Sequence, residues 1–117
     1  MRLTRKDITE AVGTDVSLAD LTDLELLFTS FERLAELDNT PRLNRLCLID
    51  NGLQEISHME PLALSLRSLT ICDQPLKVIA SNTFQLPNLE ELYIHRNQLC
   101  DVSGLTGCPK VRKLWLF

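Results

Sequence analysis

Long hydrophobic runs are missing from this chain. No stretch of its 117 residues approaches the length of a membrane-spanning helix. The start, Met1-Arg2-Leu3-Thr4-Arg5-Lys6-Asp7, has no apolar region of the kind a secretory leader carries. A run of basic residues is missing too, and the net charge is −4. Phosphate neutralisation, which supplies most nucleic-acid affinity, therefore has no evident source. The four cysteines, Cys47, Cys72, Cys100 and Cys108, form no C-x-x-C, and neither His58 nor His95 stands at ligand spacing from a cysteine pair. No zinc or other metal site is expected. Scattered thiols of this kind read as free and fit a reducing, cytoplasmic compartment. A phosphate loop, G-x-S-x-G, H-E-x-x-H and a dinucleotide fingerprint are all missing. No cofactor, membrane contact or small-molecule substrate is expected, and nucleic acid is a disfavoured partner.

What the chain does have is one motif that recurs. Leu89-Glu90-Glu91-Leu92-Tyr93-Ile94-His95-Arg96-Asn97-Gln98-Leu99 has leucine-type residues at positions 1, 4, 6 and 11 and asparagine at position 9. A short strand would turn Leu92 and Ile94 to one face. The Asn97 amide carries both donor and acceptor, so it can satisfy the backbone of the turn that follows. The same apolar spacing opens at Leu21, Leu43, Leu66, Leu89 and Val111, at intervals of 22, 23, 23 and 22 residues. Position 9 reads Thr29, Asn51, Gln74 and Asn97, which casts Asn51, Gln74 and Asn97 as structural turn residues and makes the first repeat atypical.

Residues 1–20 form a cap and lead-in, and 21–117 the repeats, the fifth being cut short. Thr4 and Asp7 suit the N-cap and third position of a short helix through Val12, with Ile8, Ala11 and Val12 as its apolar stripe and Gly13 as its stop. Apolar residues of the return segments close the core: Leu53, Ile56, Met59 and Leu62; Leu76, Ile79, Phe84 and Leu86; Leu99, Val102, Leu105 and Cys108. In the first return, Phe31-Glu32-Arg33-Leu34-Ala35-Glu36-Leu37 has helical spacing and good helix formers. Pro41, Pro87 and Pro109 each stand two residues before a strand start, where no ladder donor is needed.

These units resemble the intracellular leucine-rich repeats, the class of about 22 residues that includes a phosphatase-1 regulatory subunit, the spliceosomal A-prime protein and several axonemal proteins. Asn97-Gln98-Leu99-Cys100-Asp101-Val102-Ser103-Gly104-Leu105 carries the class mark best, whereas Ile79 to Leu89 is closer to a longer repeat class. Leu24-Glu25-Leu26-Leu27-Phe28 after a short helix, Leu66 to Ile71 followed by Leu76-Lys77-Val78-Ile79, and Leu114-Trp115-Leu116 resemble the first repeats of cilia-associated multi-repeat proteins. The resemblance implies an α/β fold: a curved, right-handed leucine-rich repeat solenoid, its parallel strands on the concave face, with a short N-terminal helix as cap. It implies a scaffold and transfers no catalytic residue. A fifth repeat that stops at Phe117 leaves an edge strand with two aromatics, as a piece of a longer repeat protein would.

Strand positions between the leucines should face outward. They put Arg45, Ile49, Glu91, Tyr93, His95, Arg96, Arg112, Lys113, Trp115 and Phe117 on the concave surface, and these are the candidate partner-binding residues. Aromatics edged by arginine are the usual composition of a protein interface hot spot. Cys72 and His95 share position 7 of adjacent strands, the raw material of nucleophilic catalysis. An open sheet supplies neither an oxyanion hole nor a desolvated pocket, so the chain is read as no enzyme. Glu90-Glu91 reads as a solvated edge and His58 as an exposed loop residue. The expected function is protein–protein scaffolding in a larger cytoplasmic, ciliary or cytoskeletal assembly. The alternatives are a regulatory subunit of an enzyme such as a phosphatase and, least favoured, an RNA-associated adaptor.

Overall fold

The computed structural model describes residues 2–13, 15–28, 30–31, 33–35, 37–56, 58–77, 79, 85–98 and 107–116. Helix α1 (Arg5–Val12) is followed by five strands: β1 (Asp23–Leu27), β2 (Arg45–Ile49), β3 (Ser68–Cys72), β4 (Glu91–His95) and β5 (Lys113–Leu116). They form one sheet in the order β1-β2-β3-β4-β5, and every pair is parallel. The register matches the repeat: Leu24, Leu46, Leu69, Leu92 and Leu114 lie side by side. This is a leucine-rich repeat solenoid with an N-terminal helix.

Alternation along the strands decides what is core. Positions 4 and 6 of the first four repeats (Leu24, Leu26, Leu46, Leu48, Leu69, Ile71, Leu92 and Ile94) are all buried. From the other side they meet Leu53, Ile56, Met59 and Leu62, and then Leu76, Ile79, Leu86 and Cys108. At about 1.5–3 kcal/mol for each large side chain removed from water, these columns hold the stack together. Each strand is entered through a tight turn: Leu43 N–H donates to Thr40 O at 3.2 Å and Leu89 N–H to Leu86 O at 3.2 Å. Pro41 and Pro87 sit inside these turns, where a fixed φ is wanted and no N–H is required.

Helix α1 carries the expected capping box. The Asp7 N–H donates to Thr4 Oγ1 at 3.2 Å, and the Thr4 N–H donates to Asp7 Oδ2 at 2.9 Å. Gly13 closes the helix at φ 99, a conformation that favours glycine, and its N–H returns to Thr9 O. The helix lies against β1 and buries Ile8 completely. Val12 is partly buried, but Ala11, expected on the same stripe, faces solvent.

The first return departs from expectation. No α-helix is found among the described residues from Phe31 to Leu37. Arg33 is extended and forms a parallel bridge with Arg2, whose neighbour Leu3 donates its N–H to Arg33 O at 2.8 Å. Only Leu37–Asn39 coils, as one 3-10 turn. Phe31, Leu34 and Leu37 are buried as expected. Pairing with the N-terminal segment satisfies this backbone from outside, which outweighs the modest helix propensity of so short a stretch. Thr29, Phe84, Leu99, Cys100, Val102, Gly104, Leu105 and Phe117 lie outside the described residues.

Candidate functional site: the outer face of the sheet

Position 8 ends the first four strands in the same way. Phe28, Asp50, Asp73 and Arg96 have φ of 59, 52, 58 and 56, the left-handed region. This conformation costs a non-glycine residue about 1–2 kcal/mol, so the sharp turn must be held by other bonds. The position-9 amides supply them. Gln74 Oε1 accepts the N–H groups of Asn51 (3.1 Å) and Leu53 (2.9 Å), and its amide nitrogen donates to Asn51 Oδ1 (3.2 Å). Asn51 Nδ2 donates to Leu26 O in the preceding repeat at 3.1 Å. Asn97 Nδ2 donates to Ile71 O and His95 O, and Asn97 Oδ1 accepts the Gln74 N–H at 3.0 Å. Asn51 and Gln74 are buried, as such amides can be only when their donors and acceptors are paired.

These turns throw the residues between the leucines onto the outer face. β4 and β5 carry five of the ten candidate residues. Tyr93 stands opposite Trp115 in register, and Glu91 opposite Lys113. The Tyr93 hydroxyl donates to Glu91 Oε2 at 3.2 Å, and Lys113 Nζ lies 3.5 Å from the same oxygen. The His95 and Trp115 rings are 6.3 Å apart and inclined by 59°. Trp115 remains 51% exposed, while Tyr93 and His95 are half-buried. The sheet thus assembles Glu91, Tyr93, His95, Lys113 and Trp115 into one patch.

The other candidates stand apart from it. Arg96 sits at the rim, gripping Asp73 with two nitrogens at 2.8 and 3.1 Å. Arg112 turns to Glu90 at 3.4 Å, on the opposite border of the sheet, and Arg67 binds the same carboxylate at 3.2 Å. Arg45 and Ile49 lie on β2, about 10 Å from β4 at the usual strand spacing.

Cys72 is a correction to the outward reading of position 7. It is 3% exposed, wedged between Ile49 and His95 on the neighbouring strands. Burial pushes its thiol above the usual thiol range, and a hydrogen bond with the His95 backbone and the nearby Arg96 oppose this only in part. Cys47 is raised as well, first by burial and then by the Glu25 carboxylate. A nucleophilic thiol needs the opposite shift. Among the described residues no group of three His, Cys, Asp or Glu side chains could hold a metal, and no helix is long and apolar enough to cross a membrane.

Two outward residues escaped the sequence reading of the site. Phe28 is 74% exposed and Leu27 43% exposed, at the far end of the same face. Reading position 8 as its own column would have found Phe28, an aromatic where the other repeats have Asp, Asp and Arg.

A family model described as leucine rich repeat matches residues 65–117. Comparison with curated proteins finds no match, and comparison with solved structures finds none either. The matched residues run from the lead-in of β3 through β5 and so include the whole aromatic patch. The patch of Tyr93, His95 and Trp115 is therefore the outer surface of leucine-rich repeats, in a chain that folds as a leucine-rich repeat solenoid.

Proposed function

We propose that this protein is a non-enzymatic scaffold that docks a partner protein on the outer face of its sheet, centred on Tyr93, His95 and Trp115. Leucine-rich repeats generally mediate protein–protein interaction, which supports the class. The observation that carries the site is the His95–Trp115 ring contact beside Tyr93 on an open surface, with the edge charges already paired as Glu91–Lys113 and Asp73–Arg96. Rigid aromatics give a partner large contact area at small entropic cost, and paired rim charges leave little to desolvate.

The proposed setting is a cytoplasmic assembly, with a cilium or the cytoskeleton as the specific candidate. Three of the cysteines, Cys47, Cys72 and Cys108, are free thiols, in keeping with a reducing compartment. The resemblance of the helix and opening repeats to leucine-rich-repeat-containing protein 9, a cilia-associated protein, supports the finer placement. Affinity capture with mass spectrometry tests the reading. Tyr93→Ala and Trp115→Ala should each cut recovery of the true partner several-fold while circular dichroism stays unchanged. Recovery of tubulin or axonemal proteins supports the scaffold. A phosphatase catalytic subunit would make the protein a regulatory subunit, and RNA-dependent recovery would make it an adaptor. A partner indifferent to both substitutions removes this face as the site.

A further inference from the structure

The outer face is more than its aromatic patch. Leu27 on β1 and Phe28 just beyond it adjoin Ile49 on β2; past the buried Cys72 on β3 come His95 on β4 and Trp115 on β5. Apolar and aromatic surface thus lies at both ends of a stripe that crosses all five strands, a span of roughly 19 Å, and is interrupted on β3 by the buried Cys72. Charge along it is uneven. On β1, β2 and their turns the outward positions hold Asp23, Glu25 and Asp50, all exposed, against Arg45 alone. Among the described ion pairs none engages Asp23, Glu25 or Asp50. At the β4–β5 end every acid on or bordering the face among the described residues has a cation: Glu90 has Arg67 and Arg112, Glu91 has Lys113, and Asp73 has Arg96. One end of the stripe is therefore net acidic even with Arg45 opposite Asp23, and the other is aromatic and slightly basic.

The backbone constrains what can cover such a stripe. The middle of a sheet face offers no ladder groups, since strand N–H and C=O groups point sideways into the neighbouring strands. A partner lying there must satisfy its own backbone, and a helix does so while presenting one apolar side. About 13 residues of helix span 19 Å. We propose that the face seats an amphipathic helix of a partner protein, apolar along the side that meets Phe28, Leu27, Ile49 and Trp115 and basic at the end over Asp23, Glu25 and Asp50. This rests on the reading of the sheet face as the docking site and adds the partner's form, polarity and charge.

Model peptides test the inference on the full chain, with Trp115, the only tryptophan, as the fluorescent reporter. The first peptide is a helix of about 14 residues, leucine on one side and lysines gathered at one end. The second replaces lysine with glutamate. The third scrambles the order of the first so that no apolar side forms. The first should shift Trp115 emission saturably, and the other two should bind at least about 10-fold more weakly, a difference of about 1.4 kcal/mol. Glu25→Lys combined with Asp50→Asn should weaken the first peptide by a similar factor and strengthen the second; asparagine tolerates the left-handed turn, and circular dichroism checks the fold. Raising the salt from about 0.05 to about 0.5 M should weaken the first peptide alone. Equal binding by all three peptides, preference for the glutamate peptide, or indifference to the double substitution overturns the proposal. An emission shift with chain concentration alone assigns the face to a second copy and also overturns it. If no peptide binds while partner capture still depends on Tyr93 and Trp115, the helix is wrong and the docking face stands. Capture that ignores those two residues removes the docking face itself.

Discussion

Leu24 and Leu114 hold the same position in the first and last strands, yet Leu24 is 1% exposed and Leu114 53%. Both belong to outer strands of the sheet. Leu24 has α1 beside it, with Ile8 fully buried, while Leu114 borders an open cleft of about 230 Å³ with Leu92, Cys108, Val111 and Arg112. Leu24 is sealed by α1 together with its own return, and at Leu114 neither kind of cover is present among the described residues. A helix of eight residues does for β1 what a neighbouring repeat does for β2, β3 and β4.

Paired substitutions can break or sharpen that contrast. Leu24→Ala and Ile8→Ala should each cost about 2–5 kcal/mol in urea denaturation, whereas Leu114→Ala should cost less than about 1 kcal/mol. Equal losses at Leu24 and Leu114 would mean that burial by the neighbour does not set the stability of a column. A smaller gap is expected in the amide ladder. Gln74→Ala strips two buried N–H groups of their acceptor and should cost about 2–4 kcal/mol. Asn97→Ala, at a half-buried site nearer the C-terminal end, should cost about 1 kcal/mol by the same measure. The smallest effect separates stability from docking. Phe28→Gly relieves a left-handed phenylalanine and should gain about 0.5 kcal/mol, less than the full strain because glycine loosens the unfolded chain. The same substitution should weaken binding on the outer face, so a melting curve and a binding curve must move in opposite directions.

The strands, their register and the leucine columns were legible because one spacing recurs five times and each instance constrains the others. The capping box was legible because its residues are neighbours in the chain. The first return was not. Its extended form depends on Arg2, 31 residues before its partner Arg33, and local spacing carries no trace of that pairing. Cys72 was misplaced for a related reason. Alternation says which way a side chain points, but whether it is covered depends on how large Ile49 and His95 are beside it. The aromatic patch was legible as columns. What columns could not reveal is that Arg96 and Arg112 spend their charge on Asp73 and Glu90 and not on the aromatics.

The amide ladder has a consequence for how such a chain can lengthen and vary. Asn51 reaches back to Leu26, Gln74 to Asn51 and Leu53, and Asn97 to Ile71 and Gln74, so each bond joins one repeat to the one before it. Copying or deleting a whole repeat keeps these amides in step with the backbone groups they face, and only the Gln74 amide nitrogen, which donates to Asn51 Oδ1, depends on which side chain precedes it. Adding or losing one residue between a strand and its turn moves an amide away from the preceding repeat and swings the following leucines outward, unpairing two repeats at once. Gene changes in multiples of the repeat are therefore cheap for this architecture, and changes of one residue inside a strand are costly.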